Sequence, residues 1–236
     1  MKRSWLHGEF RQGLQATLPL LPGVLAAALA YGALARQAGL TWGEAWAMSV
    51  VVFAGAAQFA ALQAWATAPP LALLVLTFVV NARYLPMGAS MSTRLGRVPL
   101  GRKALAFFGL SDESYALTIG HPGDERSCFS YFVGANLGLY SCWVLGSLMG
   151  ASMSEALPFF GEIKLHIVFP LVFLGMAVPL VTDRIALAVA LAATGLALSP
   201  VFQVPVLGYP VVAGLLAAGV GVALEHLGRR PSWRRS

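Results

Sequence analysis

An arginine stands inside an apolar stretch, in the run Asn81-Ala82-Arg83-Tyr84-Leu85-Pro86-Met87-Gly88. Positions 45–82 before it hold no Asp, Glu, Lys or Arg. On insertion scales an Arg at the centre of a membrane helix costs about 2.5–3.5 kcal/mol, so it turns to protein or water and needs an anion. Two roles fit. One is a structural ion pair, or an Arg snorkelling from a shallow turn. The other is a carboxylate-binding group, because the guanidinium fork matches a carboxylate bidentately. Pro86 removes a helical hydrogen bond and disfavours helix at Leu85, so a break is predicted here.

A second run, Ser111-Asp112-Glu113-Ser114-Tyr115, lies between apolar 104–110 and 116–120. Neighbouring helical residues point about 100° apart, so Asp112 and Glu113 cannot both face one cavity. One is expected to meet Arg83 or a pathway, as a proton or ammonium site. The other suits the N-terminus of a half-helix, and the whole run also reads as the capped start of an interfacial helix. A third run is Phe53-Ala54-Gly55-Ala56-Ala57-Gln58-Phe59. Gln58 either glues two helices together or, with Asn81, lines a polar site for substrate. Phe53 and Phe59 would then house an apolar side chain.

Other chemistry is poorly supported. His7, His121, His166 and His226 have no metal-ligand spacing, and Cys128 and Cys142 match no zinc or haem pattern. No metal and no cofactor are predicted. Nucleotide-binding glycine motifs and a GxSxG elbow are absent from the sequence.

The elements that must hold these groups follow from composition. Of 236 residues, 58% are apolar and 11% charged, against about 45–50% and about 25% in soluble domains. That excludes an ordinary water-facing globule and a disordered chain. Apolar segments fall near 13–35, 45–66, 70–92, 104–120, 128–152, 164–182, 185–199 and 205–226. They are continuously apolar rather than alternating, which argues for helices and against a barrel. The prediction is one all-α membrane domain over 1–236. The first apolar run is read as an uncleaved span, because it is longer than a signal core and holds Pro19, Pro22 and Gly23.

Net charge is +6, but the basic residues sit at segment ends, so no nucleic-acid partner is expected. If all eight segments cross, the loop 93–103, with four basic residues, falls outside against the positive-inside rule. If 70–92 and 104–120 instead enter and leave from one side, thirteen of sixteen Lys and Arg lie inside, two outside and one in the membrane. The favoured architecture has about six full spans plus two broken or re-entrant segments, with both termini cytoplasmic; the alternative is eight spans. Gly134, Gly138, Gly146 and Gly150 form a small-residue stripe for close helix packing, within the chain or against a second subunit.

The three runs FAGAAQF (53–59), NARYLPMGASMS (81–92) and SDESYAL (111–117), in this order and spacing, resemble the AzlC family of bacterial branched-chain amino acid permeases. The resemblance covers nearly the whole chain. Tyr84 stands where the family often has His, and Ser111 where it often has Thr, so a proton role for that His does not carry over. The resemblance implies proton-driven export of branched-chain amino acids through the cytoplasmic membrane, with a small AzlD-type membrane subunit as partner. Its matched polar positions are Gln58, Asn81, Arg83, Asp112 and Glu113. The expected function is therefore a secondary transporter and not an enzyme. The rivals are a channel, an intramembrane enzyme using paired acids, and a structural subunit.

Overall fold

Capping chemistry sets where the helices start. The computed structural model describes residues 2–156 and 184–198, with Gly219. All regular structure among these is helical. By internal contact the chain divides into two units, Met1–Phe169 and Pro170–Ser236. The described part of the first unit holds α1 (Lys2–Ala16), α2 (Leu21–Gln37), α3 (Trp42–Val52), α4 (Gly55–Ala64), α5 (Pro70–Asn81), α6 (Tyr84–Arg94), α7 (Leu100–Phe107), α8 (Asp112–Ile119) and α9 (Glu125–Ala156). The described part of the second holds α10 (Arg184–Leu198). The predicted segment 164–182, with His166, and the segment 205–226 apart from Gly219, with His226, lie outside the described residues.

Thr41 and Glu44 form a capping box at α3. Pro70 opens α5, where its missing N–H has no helical partner to lose. Ser111 and Ser114 exchange hydrogen bonds at the start of α8, and the Asp124 carboxylate accepts from the Ser127 N–H at 2.8 Å at the start of α9. Gly39, at φ 93°, supplies the left-handed turn after α2.

Both segments predicted to be irregular are broken. The 70–92 segment bends by 44° between α5 and α6, and 104–120 is interrupted between Phe107 and Asp112. Two further breaks were not anticipated. One bends α1 from α2 by 64°. The other separates α3 from α4 at Phe53, whose φ of 40° puts a bulky side chain in the left-handed region. Among the described helices, only α9, over Glu125–Ser154, is by itself long and apolar enough to cross a membrane. The number rises to three if each bent pair counts as one span.

The frame is α9. Its glycine stripe packs within the chain: a Cβ at Gly134 would strike the Phe10 backbone, at Gly138 Thr17 and Leu14, at Gly146 Ala28 and Leu25, and at Gly150 the Leu29 backbone. Contacts that advance together along both partners mean that α1 and α2 run parallel to α9. The other elements turn back. Gln58 of α4 reaches Ser49 of α3, and Tyr31 touches both Ala45 at the start of α3 and Phe59 in α4. So α3 and α4 form a hairpin entering from the C-terminal half of α9. Likewise α7 starts where Lys103 donates to the Ser92 and Gly96 carbonyls. The chain leaves α8 where the His121 carbonyl accepts from Arg94 at 2.6 Å. So α7 and α8 form a second hairpin, entering from the opposite end. Met91, Leu95, Val98, Leu110, Cys128 and Phe132 form the buried core that seats it between α6 and α9.

Candidate functional site

The predicted meeting of the buried cation with an embedded acid is present. Arg83, just before α6, places Nη2 2.9 Å from Oδ2 of Asp112, the first residue of α8. Their side chains are 35% and 27% exposed, so the pair is half-buried and reachable. The guanidinium carbon lies 5.2 Å from the centre of the Tyr84 ring, and Nη2 donates to the Tyr84 hydroxyl at 3.4 Å. A ring face beside a guanidinium stabilises its charge.

Two half-helices aim at this pair. Arg83 meets Asp112 at one end, the Tyr115 hydroxyl bonds Ser90 Oγ at 3.2 Å midway, and Arg94 binds the His121 carbonyl at the other. Hence α6 and α8 run side by side in the same direction, and both N-termini point to the Arg83–Asp112 pair. The positive ends of two helix dipoles favour an anion there. Pro86, in the first turn of α6, has no N–H to leave unsatisfied.

Two polar atoms at the α5–α6 break are buried without a partner: Asn81 Oδ1, an acceptor, and Arg83 Nε, a donor. Buried groups of this kind are nearly always satisfied in a finished structure. An unfilled donor and an unfilled acceptor two residues apart are the complement of a ligand carrying both an anion and an N–H group. Glu113 forms no ion pair with another described residue. The first turn of α8 thus separates the two acids, as the helical angle requires.

The third predicted run lies in a different environment. Gln58 is fully buried. Its Nε2 donates to Ser49 Oγ at 3.2 Å and its Oε1 accepts from Trp143 Nε1 at 3.0 Å. The Ser49 hydroxyl donates to Ser147 Oγ at 2.9 Å, and the Ser147 hydroxyl donates to the Trp143 carbonyl at 2.6 Å. Phe59 stands edge-on to Tyr31 and Trp143, and Phe53 packs its ring 4.9 Å from that of Tyr140. Gln58, Phe53 and Phe59 therefore belong to a closed network on α9, with the Gln58 amide bonded at both its N and its O. Of the two roles open to Gln58 in the sequence, helix-to-helix bonding is the one its contacts perform.

Sequence reasoning did not single out Tyr115, Ser90, Ser49, Ser147 or Trp143. Common residue types spaced far apart carry no signal until the fold brings them together. His121, read in the sequence only as a histidine without metal-ligand spacing, places Nε2 3.0 Å from Glu9 Oε2 and stacks its ring on Tyr131 at 3.9 Å. Among the described residues no cluster of His, Cys, Asp and Glu could hold a metal.

Comparison with known proteins adds an independent line. A family profile described as "AzlC protein" matches residues 19–157, which contain every residue of the Arg83 site. An uncharacterized membrane protein of Archaeoglobus fulgidus is 29% identical over 177 residues, 74% of this chain and 77% of its own length. The branched-chain amino acid transport protein AzlC of Bacillus subtilis is 32% identical over 162 residues, 67% of this chain and 63% of its own. Inner membrane protein YgaZ of Escherichia coli is 28% identical over 152 residues, 63% of this chain and 62% of its own. No solved structure matches significantly.

Proposed function

The chain belongs to the AzlC family of membrane proteins, and from that premise we propose that it is a secondary transporter of branched-chain and other apolar amino acids. The observation that carries the reading is the half-buried Arg83–Asp112 pair at two converging half-helix N-termini, with an unfilled donor and acceptor beside it.

The exchange is electrostatically balanced. In the empty site Arg83 and Asp112 neutralise each other. An amino acid brings one carboxylate and one ammonium. Arg83 takes the carboxylate through Nη2 and the free Nε, and Asp112 with Asn81 Oδ1 takes the ammonium. One ion pair becomes two, and no charge is left unpaired in a poorly solvated site. Tyr84 holds the guanidinium flat against its ring while the partners change. Discontinuous helices suit this role, because their exposed ends supply charge at mid-membrane.

Direction, coupling and assembly complete the proposal. The substrate leaves the cell across the cytoplasmic membrane as a proton enters, with Asp112 or Glu113 carrying the proton. A small AzlD-type membrane subunit assembles with the chain. The spans of the described region are α1/α2, α5/α6 and α9, while α3–α4 and α7–α8 are re-entrant. This arrangement keeps 93–103 and Arg126 inside, as the charge count asks, with 45–66 rather than 70–92 as the first segment that turns back. Both termini are cytoplasmic.

The test is counterflow in proteoliposomes, with and without the small subunit, using a panel of amino acids. Leucine, isoleucine or valine should exchange and lysine or glutamate should not. Absence of exchange for every apolar amino acid under both conditions would overturn the reading.

A further inference from the structure

Residues 2–64 and 70–121 repeat one design. Each begins with a kinked helix, bent by 64° in α1/α2 and 44° in α5/α6. Each continues into a hairpin broken at a phenylalanine, Phe53 capping α3 and Phe108 capping α7. A shift of 55 positions aligns Phe53 with Phe108, Gln58 with Glu113, Ala61 with Ala116 and Leu62 with Leu117. The two copies run in opposite directions. The first kinked helix is parallel to α9, as the stepwise contacts of its glycine stripe require. The second runs the other way, since its last residue, Arg94, lies at His121, and His121 stacks on Tyr131 near the start of α9.

Both breaks meet at one side chain. Tyr140 of α9 packs its ring 4.9 Å from that of Phe53 and 6.2 Å from that of Phe108. Its hydroxyl donates to the Val50 carbonyl at 2.9 Å, a group the end of α3 would otherwise leave unpaired. The copies differ in chemistry. At the same shift, Arg83, Asp112 and Glu113 of the second copy stand against Ala28, Ala57 and Gln58 of the first, all neutral, with Gln58 closed by Trp143. The second hairpin also has space beside it: an open apolar groove of about 500 Å³ runs between α7 and α9, bordered by Leu105, Phe108, Val133 and Tyr140.

We propose that the two copies are an inverted duplication and that Tyr140 is the positioning residue on which their hairpins are seated, so that movement of the charged hairpin past it exposes the Arg83 site to one side of the membrane and then the other. The first hairpin is the fixed counterpart. The motion rests on the transport reading above; the opposed orientation of the hairpins does not, and the two are tested separately.

Orientation is read by single cysteines in a Cys128→Ser, Cys142→Ser background, labelled in intact cells with a membrane-impermeant maleimide. Trp42→Cys and Thr67→Cys, at the two ends of the first hairpin, should label from outside. Arg97→Cys and Pro122→Cys, at the ends of the second, should label only after permeabilisation. Labelling of Thr67→Cys and Arg97→Cys from the same side, or of the two ends of either hairpin from opposite sides, overturns the duplication while leaving the Arg83 site untouched. Motion is read by exchange rate per folded molecule and by substrate affinity. Tyr140→Phe keeps both ring contacts and should slow exchange about 3-fold, and Tyr140→Ala about 10-fold or more, each with affinity within about 2-fold of the parent. A residue that merely supports folding would lower the yield of folded protein and leave the rate per molecule unchanged. That result overturns the role of Tyr140, and if Tyr140→Ala does not fold, a parental rate in Tyr140→Phe does so.

Discussion

At the residue scale, two buried polar positions look alike in the sequence and differ in the fold. Arg83 and Gln58 both interrupt apolar runs. Gln58 has its amide bonded at both ends and lies fully buried, whereas Arg83 keeps a buried donor free and remains partly exposed. Their substitutions should therefore separate stability from transport. Gln58→Leu leaves the buried Trp143 Nε1 without a partner, at about 1–3 kcal/mol, and takes one hydrogen bond from Ser49, whose hydroxyl keeps its bond to Ser147. It should lower the unfolding temperature in detergent and spare the exchange rate of the molecules that fold. Arg83→Ala should lower exchange by at least about 30-fold, the effect of removing one member of a half-buried charge pair that holds the substrate, with membrane insertion intact. Arg83→Lys should fail similarly, because an ammonium cannot replace the planar fork. Exchange by Arg83→Ala at the parental rate would remove the site. The Arg83–Asp112 meeting was legible because a charge in an apolar run must find its opposite. The closure of the Gln58 network was not, because Ser49, Ser147 and Trp143 lie up to 98 positions apart and are unremarkable alone.

At the element scale, breaks and caps decide what the helices can hold. The charge count asks 93–103 and 126 to share a side, and Arg94 at the His121 carbonyl puts the loop after α6 beside the loop after α8. It names 70–92 as the upstream segment that turns back and passes over the α3–α4 break, which carries no charge and whose only trace is Phe53 ahead of Ala54-Gly55-Ala56-Ala57. Gly55 is required there, since a Cβ would sit 2.7 Å from the Trp143 ring. The glycine stripe was legible as a packing face, but not its partner, which is α1/α2. Gly134→Ala places a methyl against the Phe10 backbone and should destabilise by about 1–3 kcal/mol, the usual range for overpacking, read as a lower unfolding temperature. The cap of α9 adds a pH dependence. Hydrogen bonds from the Ser127 backbone, and then its side chain, hold the Asp124 carboxyl below its ordinary value. A carboxyl lowered by folding stabilises the native state above the unfolded pKa of about 4, and that contribution fades as pH falls through the folded value. Asp124→Ala should thus cost about 1 kcal/mol at pH 7, with the gap from the parent closing under acid. An equal gap at pH 7 and pH 3 would show that the carboxylate is not the cap.

At the scale of the whole molecule, the proposed transport raises the question of how a neutral Arg83–Asp112 pair would move a neutral zwitterion uphill. An exchange that swaps one ion pair for two transfers no charge by itself, so the membrane potential cannot act on the substrate alone. Coupling to one entering proton changes that. At about 100 mV a single charge contributes roughly 2.3 kcal/mol, which supports a gradient of about 50-fold. Asp112 and Glu113 are adjacent in sequence but about 100° apart on α8, so one can hold the substrate ammonium while the other carries the proton. This division makes two assays diverge. Counterflow needs only the reorientation of the loaded site and should continue when an uncoupler collapses the proton gradient. Net accumulation needs the return of the proton-loaded site and should disappear with the same uncoupler. Glu113→Gln should copy the uncoupler, losing accumulation while retaining exchange, whereas Asp112→Asn should lose both. Accumulation that survives the uncoupler, or an Asp112→Asn protein that still exchanges leucine at the parental rate, would mean that the acids of α8 are structural and that the driving force enters elsewhere.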